Sequence, residues 1–217
     1  MKSLFKAVAL ITVFSVLTRA LGFFFRIYLS RVLGAEALGL YQVSMSVFGV
    51  LLTIVSSGLP LVISKLSAGL NAKNNRKEEH SMVTTALIIG LISSILLCAI
   101  VLIFNKLFSL LFTDDRCMII LIIMLPAVVF SSIYSTFRGS LWGHSNFFAV
   151  CLAELFEQLV RIIVCVIIIG GASSVMQSAM SAAGSMTIAC ILSAIFVIVL
   201  YFAYGGRLKK PKNYTKT

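Results

Sequence analysis

The 217-residue chain is 60% hydrophobic and 12% charged, with a mean hydropathy of +1.08, a composition foreign to soluble globular domains. Apolar runs of about 20 residues, enough to cross a hydrocarbon core of roughly 30 Å, recur along it, and they are uniformly apolar rather than alternating, which excludes a β-barrel. The formal net charge of +11 has its source in the positive-inside bias of membrane topology. The expected class is therefore an all-α polytopic membrane protein in contact with membrane lipid, with no nucleic-acid partner.

Six spans are predicted. The first, about 7–29, starts like a signal peptide but lacks a small-residue cleavage site, so it reads as an uncleaved span. Thr12, Ser15, Arg19, Gly22 and Arg26 form a polar stripe along it. Gly34 to Gly39 reads as a short turn. The second span, about 40–66, contains Gly58-Leu59-Pro60, where proline removes a backbone donor and predicts a kink or break. Asn71 to Ser81 reads as a polar loop. The third span, about 82–104, is uncharged. The next loop, Asn105 to Arg116, carries Asp114-Asp115, which read as solvated rather than as a cation site. In the fourth span, about 118–137, Pro126 predicts a second kink, and Ser131, Tyr134, Ser135 and Arg138 form a polar stripe. The fifth span, about 148–169, is followed by a short turn, Gly170 to Ser174. The sixth, about 175–203, holds the small-residue stretch Ser178 to Ser185, which permits close helix approach. A basic tail, 206–217, follows this 1–205 transmembrane unit.

Loop charges orient the spans. With the N-terminus inside, twelve Lys and Arg residues fall in inner segments, three in outer segments and three within spans. That bias places both the N- and C-termini in the cytoplasm.

The fifth span is the main functional pointer. Glu154, Glu157, Gln158 and Arg161 lie in the middle of apolar sequence. At roughly 100° per residue, Glu154 and Arg161 project within about 20° of each other, flanked by Glu157 and Gln158. Charges within a span are costly and face a bundle interior or a water-filled cavity. If spans 1, 4 and 5 share one cavity, Arg19, Arg26, Arg138 and Arg161 face Glu154 and Glu157. That excess suits an anionic headgroup, because the guanidinium fork matches phosphate. The carboxylates have two roles open to them: neutralising arginines, or titrating in a coupling to H+ or Na+. Pro60 and Pro126 are hinge candidates.

The five cysteines contain no CxxC and read as small apolar residues. His80 and His144 fall in separate predicted loops with no ligand cluster. No metal site, cofactor site, nucleophile–base pair or phosphate loop is legible, so the chain is not expected to be an enzyme.

Four motifs carry a family resemblance: TRALGFFFRIYLSRVLGAEALGLYQ from Thr18, SGLPLVISK from Ser57, RGSLWG from Arg138 and ELFEQLVR from Glu154. Together they resemble the stage V sporulation protein B group, in the polysaccharide-transporter branch of the exporter superfamily (MOP) that also holds the lipid II flippases and the MATE drug antiporters. The resemblance implies one six-helix lobe of a MATE/MOP-type flippase, the N-terminal lobe of a two-lobe fold working by alternating access. It implies movement of undecaprenyl-linked oligosaccharide or peptidoglycan precursor across the bacterial cytoplasmic membrane, and a role for the first-span arginines in a cationic cavity. Lipid II flippases commonly place an acid after the second arginine; here Ile27 stands there, which favours the polysaccharide branch. Family members have about twice as many spans, so a missing C-terminal lobe or a homodimer is expected to complete the shape. Two other readings are carried: a MATE-like ion-coupled antiporter lobe, and a truncated non-transporting scaffold.

Overall fold

The computed structural model describes residues 2–171 and 174–209. Every regular element among them is helical: α1 (Lys2–Ser56), α2 (Leu59–Ala72), α3 (Arg76–Ile103), the short α4 (Asn105–Ser109), α5 (Arg116–Gly143), α6 (Phe147–Ile169) and α7 (Val175–Ala203). Two residues of the predicted Gly170–Ser174 turn and residues 210–217 of the basic tail lie outside the described residues.

Four stretches are long and apolar enough to cross a membrane: Phe5–Ala72, Arg76–Ile103, Arg116–Gly143 and Val175–Ala203. A 68-residue stretch such as Phe5–Ala72 would extend about 100 Å as one helix, over three times the hydrocarbon thickness. Two breaks divide it. At Gly34 the backbone takes φ 74 and ψ 172, a region essentially reserved for glycine. At Ser57–Gly58 the helix stops and α2 begins. The 23-residue α6 is not among the four because it carries Glu154, Glu157 and Arg161.

Several sequence expectations are corrected here. The predicted turn over Gly34–Gly39 is a break at Gly34 alone, and the chain from residue 35 onward is already helical. The loop expected over 71–81 shrinks to Lys73–Asn75, because α2 continues to Ala72 and α3 starts at Arg76. Asn74, at φ 53, makes so tight a reversal feasible, since asparagine tolerates left-handed backbone. The Asn75 side chain caps α3 by accepting from the Glu78 N–H at 3.4 Å. Pro60 lies in the first turn of α2, where its missing N–H would have no intrahelical partner. α5 runs through Pro126 as one helix.

Of the Asp pair before α5, Asp114 is committed to a protein partner. The Asp114 carboxylate accepts from Arg116 Nη2 at 2.7 Å, and Arg116 Nη1 donates to Glu36 at 2.9 Å. These bonds from Arg116 hold the Asp114 carboxyl below its ordinary value. The clip ties the start of α5 to the chain just past the Gly34 break.

α5 is the central helix: it touches all six others. Its buried residues include Ile120, Leu121, Met124, Ala127 and Val128. Ala179, Ala182, Ala183 and Ala189 of α7 are buried, and small residues allow the close helix approach on which packing in lipid depends. Outward-facing side chains such as Phe23, Ile103 and Leu110 are apolar and exposed, as a lipid-facing surface requires.

The RGSLWG motif has a packing explanation. A Cβ on Gly139 would lie 2.9 Å from the Pro60 Cα, and one on Gly143 would lie 2.7 Å from the Ser64 carbonyl oxygen. Two glycines four apart thus let the α2 backbone rest directly on α5. Gly139→Ala and Gly143→Ala are each expected to cost about 1–3 kcal/mol through overpacking. Gly49→Ala, where nothing lies within 4 Å, should not lower the melting temperature. Thermal unfolding followed by circular dichroism in mild detergent checks all three.

Candidate functional site

The charged span residues expected to share one cavity come from three helices. α1 carries Arg19 and Arg26, α5 carries Arg138 near its end, and α6 carries Glu154, Glu157, Gln158 and Arg161. Two ion pairs form among them. Arg161 Nη2 donates to Glu157 Oε1 at 2.7 Å, one helical turn apart. Arg138 Nη2 donates to Glu154 Oε1, joining α5 to α6. The Arg161 side chain is only 14% exposed, so the pairing offsets a real desolvation cost. Both carboxylates are therefore held by arginines, and the partner of Arg161 is Glu157 rather than Glu154.

The structure separates the four arginines. Arg26 and Arg161 line one cavity of about 440 Å³ with Gln158, Gln42 and Tyr41. No carboxylate is among its lining residues, and no ion pair of Arg26 is present among the described residues. Buried inside the same region, Arg161 Nε and Gln158 Oε1 have no hydrogen-bond partner among the described residues. A buried donor and acceptor left open in this way are costly without a ligand or water. Arg138 instead lines a second cavity, of about 470 Å³, with Pro60, Ser57, Ser64 and Trp142 at the α1–α2 break. Arg19 is exposed and lines neither. A single four-arginine cavity is thus not what the helices build, because α5 turns Arg138 toward α2.

A further acid–base group was not legible in the sequence. Glu79 and His144 fall in what reads as two separate loops, yet Nε2 of His144 lies 3.1 Å from Glu79 Oε1. Glu79 is 1% exposed. The Glu79 carboxylate pushes the His144 imidazole above its ordinary histidine value, ahead of the opposing effect of burial. The residues lie 65 positions apart, so only the packing of α3 beside the end of α5 brings them together. The cue available was weak: an acid in the first turn of a helix and a base at a helix end. Among the described residues no group of three acids, histidines or cysteines could hold a metal ion.

Comparison with known proteins adds a family. A family model described as polysaccharide biosynthesis protein matches residues 4–217. Stage V sporulation protein B of Bacillus subtilis (strain 168) is 31% identical over 146 residues, 67% of this chain and 28% of that protein. Lipid II flippase MurJ of the same organism is 22% identical over 219 residues, 95% of this chain and 40% of that protein. The fold matches a MOP superfamily transporter from Pyrococcus furiosus at a TM-score of 0.77 and 14% identity, over 98% of this chain and 48% of that one. It also matches an outward-facing multidrug resistance MATE family transporter at 0.77 and 15% identity, again over 98% and 48%. The chain thus spans well under half the length of these two curated relatives and about half of the solved transporters.

The α6 pair predicts strong non-additivity. Arg161→Ala leaves the Glu157 charge without its partner and is expected to cost about 2–4 kcal/mol, somewhat under the range for fully buried pairs. Adding Glu157→Ala should recover part of that loss, whereas two independent sites would add. Urea or thermal unfolding of both single variants and the double variant measures the difference.

Proposed function

The chain belongs to the polysaccharide biosynthesis protein family, and from that premise we propose that it is one lobe of a flippase that moves a lipid-linked, phosphate-bearing oligosaccharide or peptidoglycan precursor across the bacterial cytoplasmic membrane by alternating access. It is a multi-pass membrane protein of the MOP transporter type. The six long helical rods, with α1 divided at Gly34 and its second half continued by α2, are its six spans, and both termini face the cytoplasm. Pro60, at the α1–α2 break, is the hinge position, whereas Pro126 lies within the unbroken α5.

One observation carries the substrate reading: Arg26, without a counter-ion among the described residues, and Arg161, with Nε open, converge on a cavity whose lining has no carboxylate. A cationic site of this kind suits a phosphate or pyrophosphate through charge-assisted, forked hydrogen bonds. It disfavours a cationic drug, the cargo that a MATE-like antiporter reading would require. The carboxylates of α6 are occupied by arginines, so coupling to H+ or Na+ would need another group.

Binding of a short-chain polyprenyl pyrophosphate to the chain in nanodiscs tests the cavity. Arg26→Ala is expected to weaken binding about ten- to a hundredfold, the loss of one charge-assisted contact. Arg161→Lys should retain part of the affinity, since it keeps the charge without the fork. Arg19→Ala, outside the cavity, should matter little. Unchanged binding in both cavity variants overturns the reading.

The chain covers about half the length of the solved transporters, so a second lobe faces this one, either a C-terminal lobe or a second copy of this chain. An even number of spans lets two such lobes sit in the same orientation. The native mass of the chain extracted from its source membrane should correspond to a dimer or a heteromeric complex. A mass of one 23.6 kDa chain alone would argue for a non-transporting remnant.

A further inference from the structure

Outside the arginine cavity, one buried carboxylate remains without an arginine. Glu79 lies in the first turn of α3 and His144 caps the end of α5. The positive end of one helix dipole thus faces the anion, and the negative end of another faces the cation. The hydrogen bonding around His144 fixes a proton count. Its Nδ1 lies 3.0 Å from the Ser140 carbonyl oxygen, and a carbonyl only accepts, so Nδ1 carries a proton. Its Nε2 then faces Glu79 Oε1 at 3.1 Å, and two lone pairs at that distance repel. A second proton on the imidazole turns that repulsion into an ion pair. Neither Glu79 oxygen has an aligned hydrogen bond among the described residues, so the contact with Nε2 is an ion pair.

The surroundings make this proton conditional. A cavity of about 40 Å³ lies against the pair, lined by Arg76, His80, Asn146 and Tyr201 and roofed by Gly205 and Gly206. That volume admits a single water. The roof is held by His80 Nδ1, which accepts from the Arg207 N–H at 3.3 Å, and by Tyr201 Oη, which donates to the Arg207 carbonyl at 3.3 Å. Accepting at Nδ1 requires that nitrogen to be unprotonated. Lys209 N–H adds a bond to Thr84 Oγ1 at 3.3 Å. The charged and titratable groups facing the pair are thus Arg76 and His80 from α3, Tyr201 and Tyr204 from α7, and Lys209 from the segment beyond it.

We propose that Glu79 and His144 form a proton-binding site at the end of the bundle where α3 begins and α5 ends, and that its occupancy controls the seating of the segment Gly205–Lys209 over that site. The proton rides on Nε2 and faces the Glu79 charge across 3.1 Å. When it leaves for solvent, Nε2 becomes a lone pair and Glu79 keeps a buried negative charge with no partner. The cavity holds room for one water, and fuller hydration of the buried charge requires the Gly205–Gly206 roof to lift. Protonation of His80 Nδ1 breaks the Arg207 bond and lifts the same roof from the acid side. The seat is therefore stable over a pH window bounded by the two histidines. The direction agrees with the raised His144 value: a base whose folded value is raised contributes stability below its ordinary value and loses it as pH rises through the raised one. This site stands whether or not the Arg26–Arg161 cavity takes a phosphate, and its readout does not involve transport.

The chain has two histidines, so its histidine ring resonances in nanodiscs reduce to two sets, assigned by their loss in His144→Gln. The expected result is that His144 titrates above the free histidine side chain in the wild type and falls toward it in Glu79→Gln. Tryptic cleavage after Arg207 and Lys209, taken as the ratio of wild type to Glu79→Gln at each pH, should rise about tenfold through the His144 titration, the scale of leaving one buried acceptor unpaired. Glu79→Gln should remove the alkaline limb, because an amide can donate to neutral Nε2. A wild type in which neither histidine titrates above the free value overturns the proposal without any variant, and so does a flat cleavage ratio.

Discussion

A charge inside an apolar bundle must find a counter-charge or a ligand, and the interior of this chain is arranged by that requirement. Glu154 and Glu157 are each held by one arginine, Arg138 and Arg161. One pair is local to α6 and the other fastens α6 to α5. Because desolvation of a lone charge costs several kcal/mol while a good pair offsets most of it, these contacts restrict how α5 and α6 can rotate against each other. What is left after pairing is as informative as the pairs. Arg26 has no acid beside it among the described residues, and it opens on the same cavity as the unfilled donor of Arg161.

α5 can hold the centre because its surface changes character along its length. Its first half is packed with Ile120, Leu121 and Met124. Its last turns carry Gly139 and Gly143, which receive the α2 backbone, and Arg138, which reaches α6. Steric and electrostatic demands meet within six residues, which accounts for RGSLWG appearing as a compact motif. The break at Ser57–Gly58 gives α2 its own direction, so that Pro60 can lie directly on Gly139.

The bundle has the fold of about half of each of two solved transporters of about twice its length. A lobe that packs around its own α5 is consistent with a unit that moves as one body while a facing lobe completes the cavity. The arginine cavity and the Glu79–His144 pair are separate sites, and the roles proposed for them differ, one toward a phosphate and one toward the seating of the segment that leaves α7. They use different chemistry for a physical reason: a guanidinium does not release its proton near neutral pH, whereas an imidazole does.

Much of the outline was legible in the residues alone. Hydropathy determined the helical membrane class, because each span must satisfy its backbone internally. Pro60 marked the break, since local sterics act over one turn. The helical period placed Glu154, Glu157 and Arg161 on one side of α6. Tertiary structure decided which charges meet: Arg138 with Glu154, Glu79 with His144, and Arg26 with Arg161 around one cavity. It also moved Arg138 away from that cavity, left Arg19 exposed, and shortened the 71–81 loop to three residues. Periodicity is a property of neighbours along the chain, whereas these meetings depend on how helices rotate and cross, which is set by packing contacts dozens of residues apart.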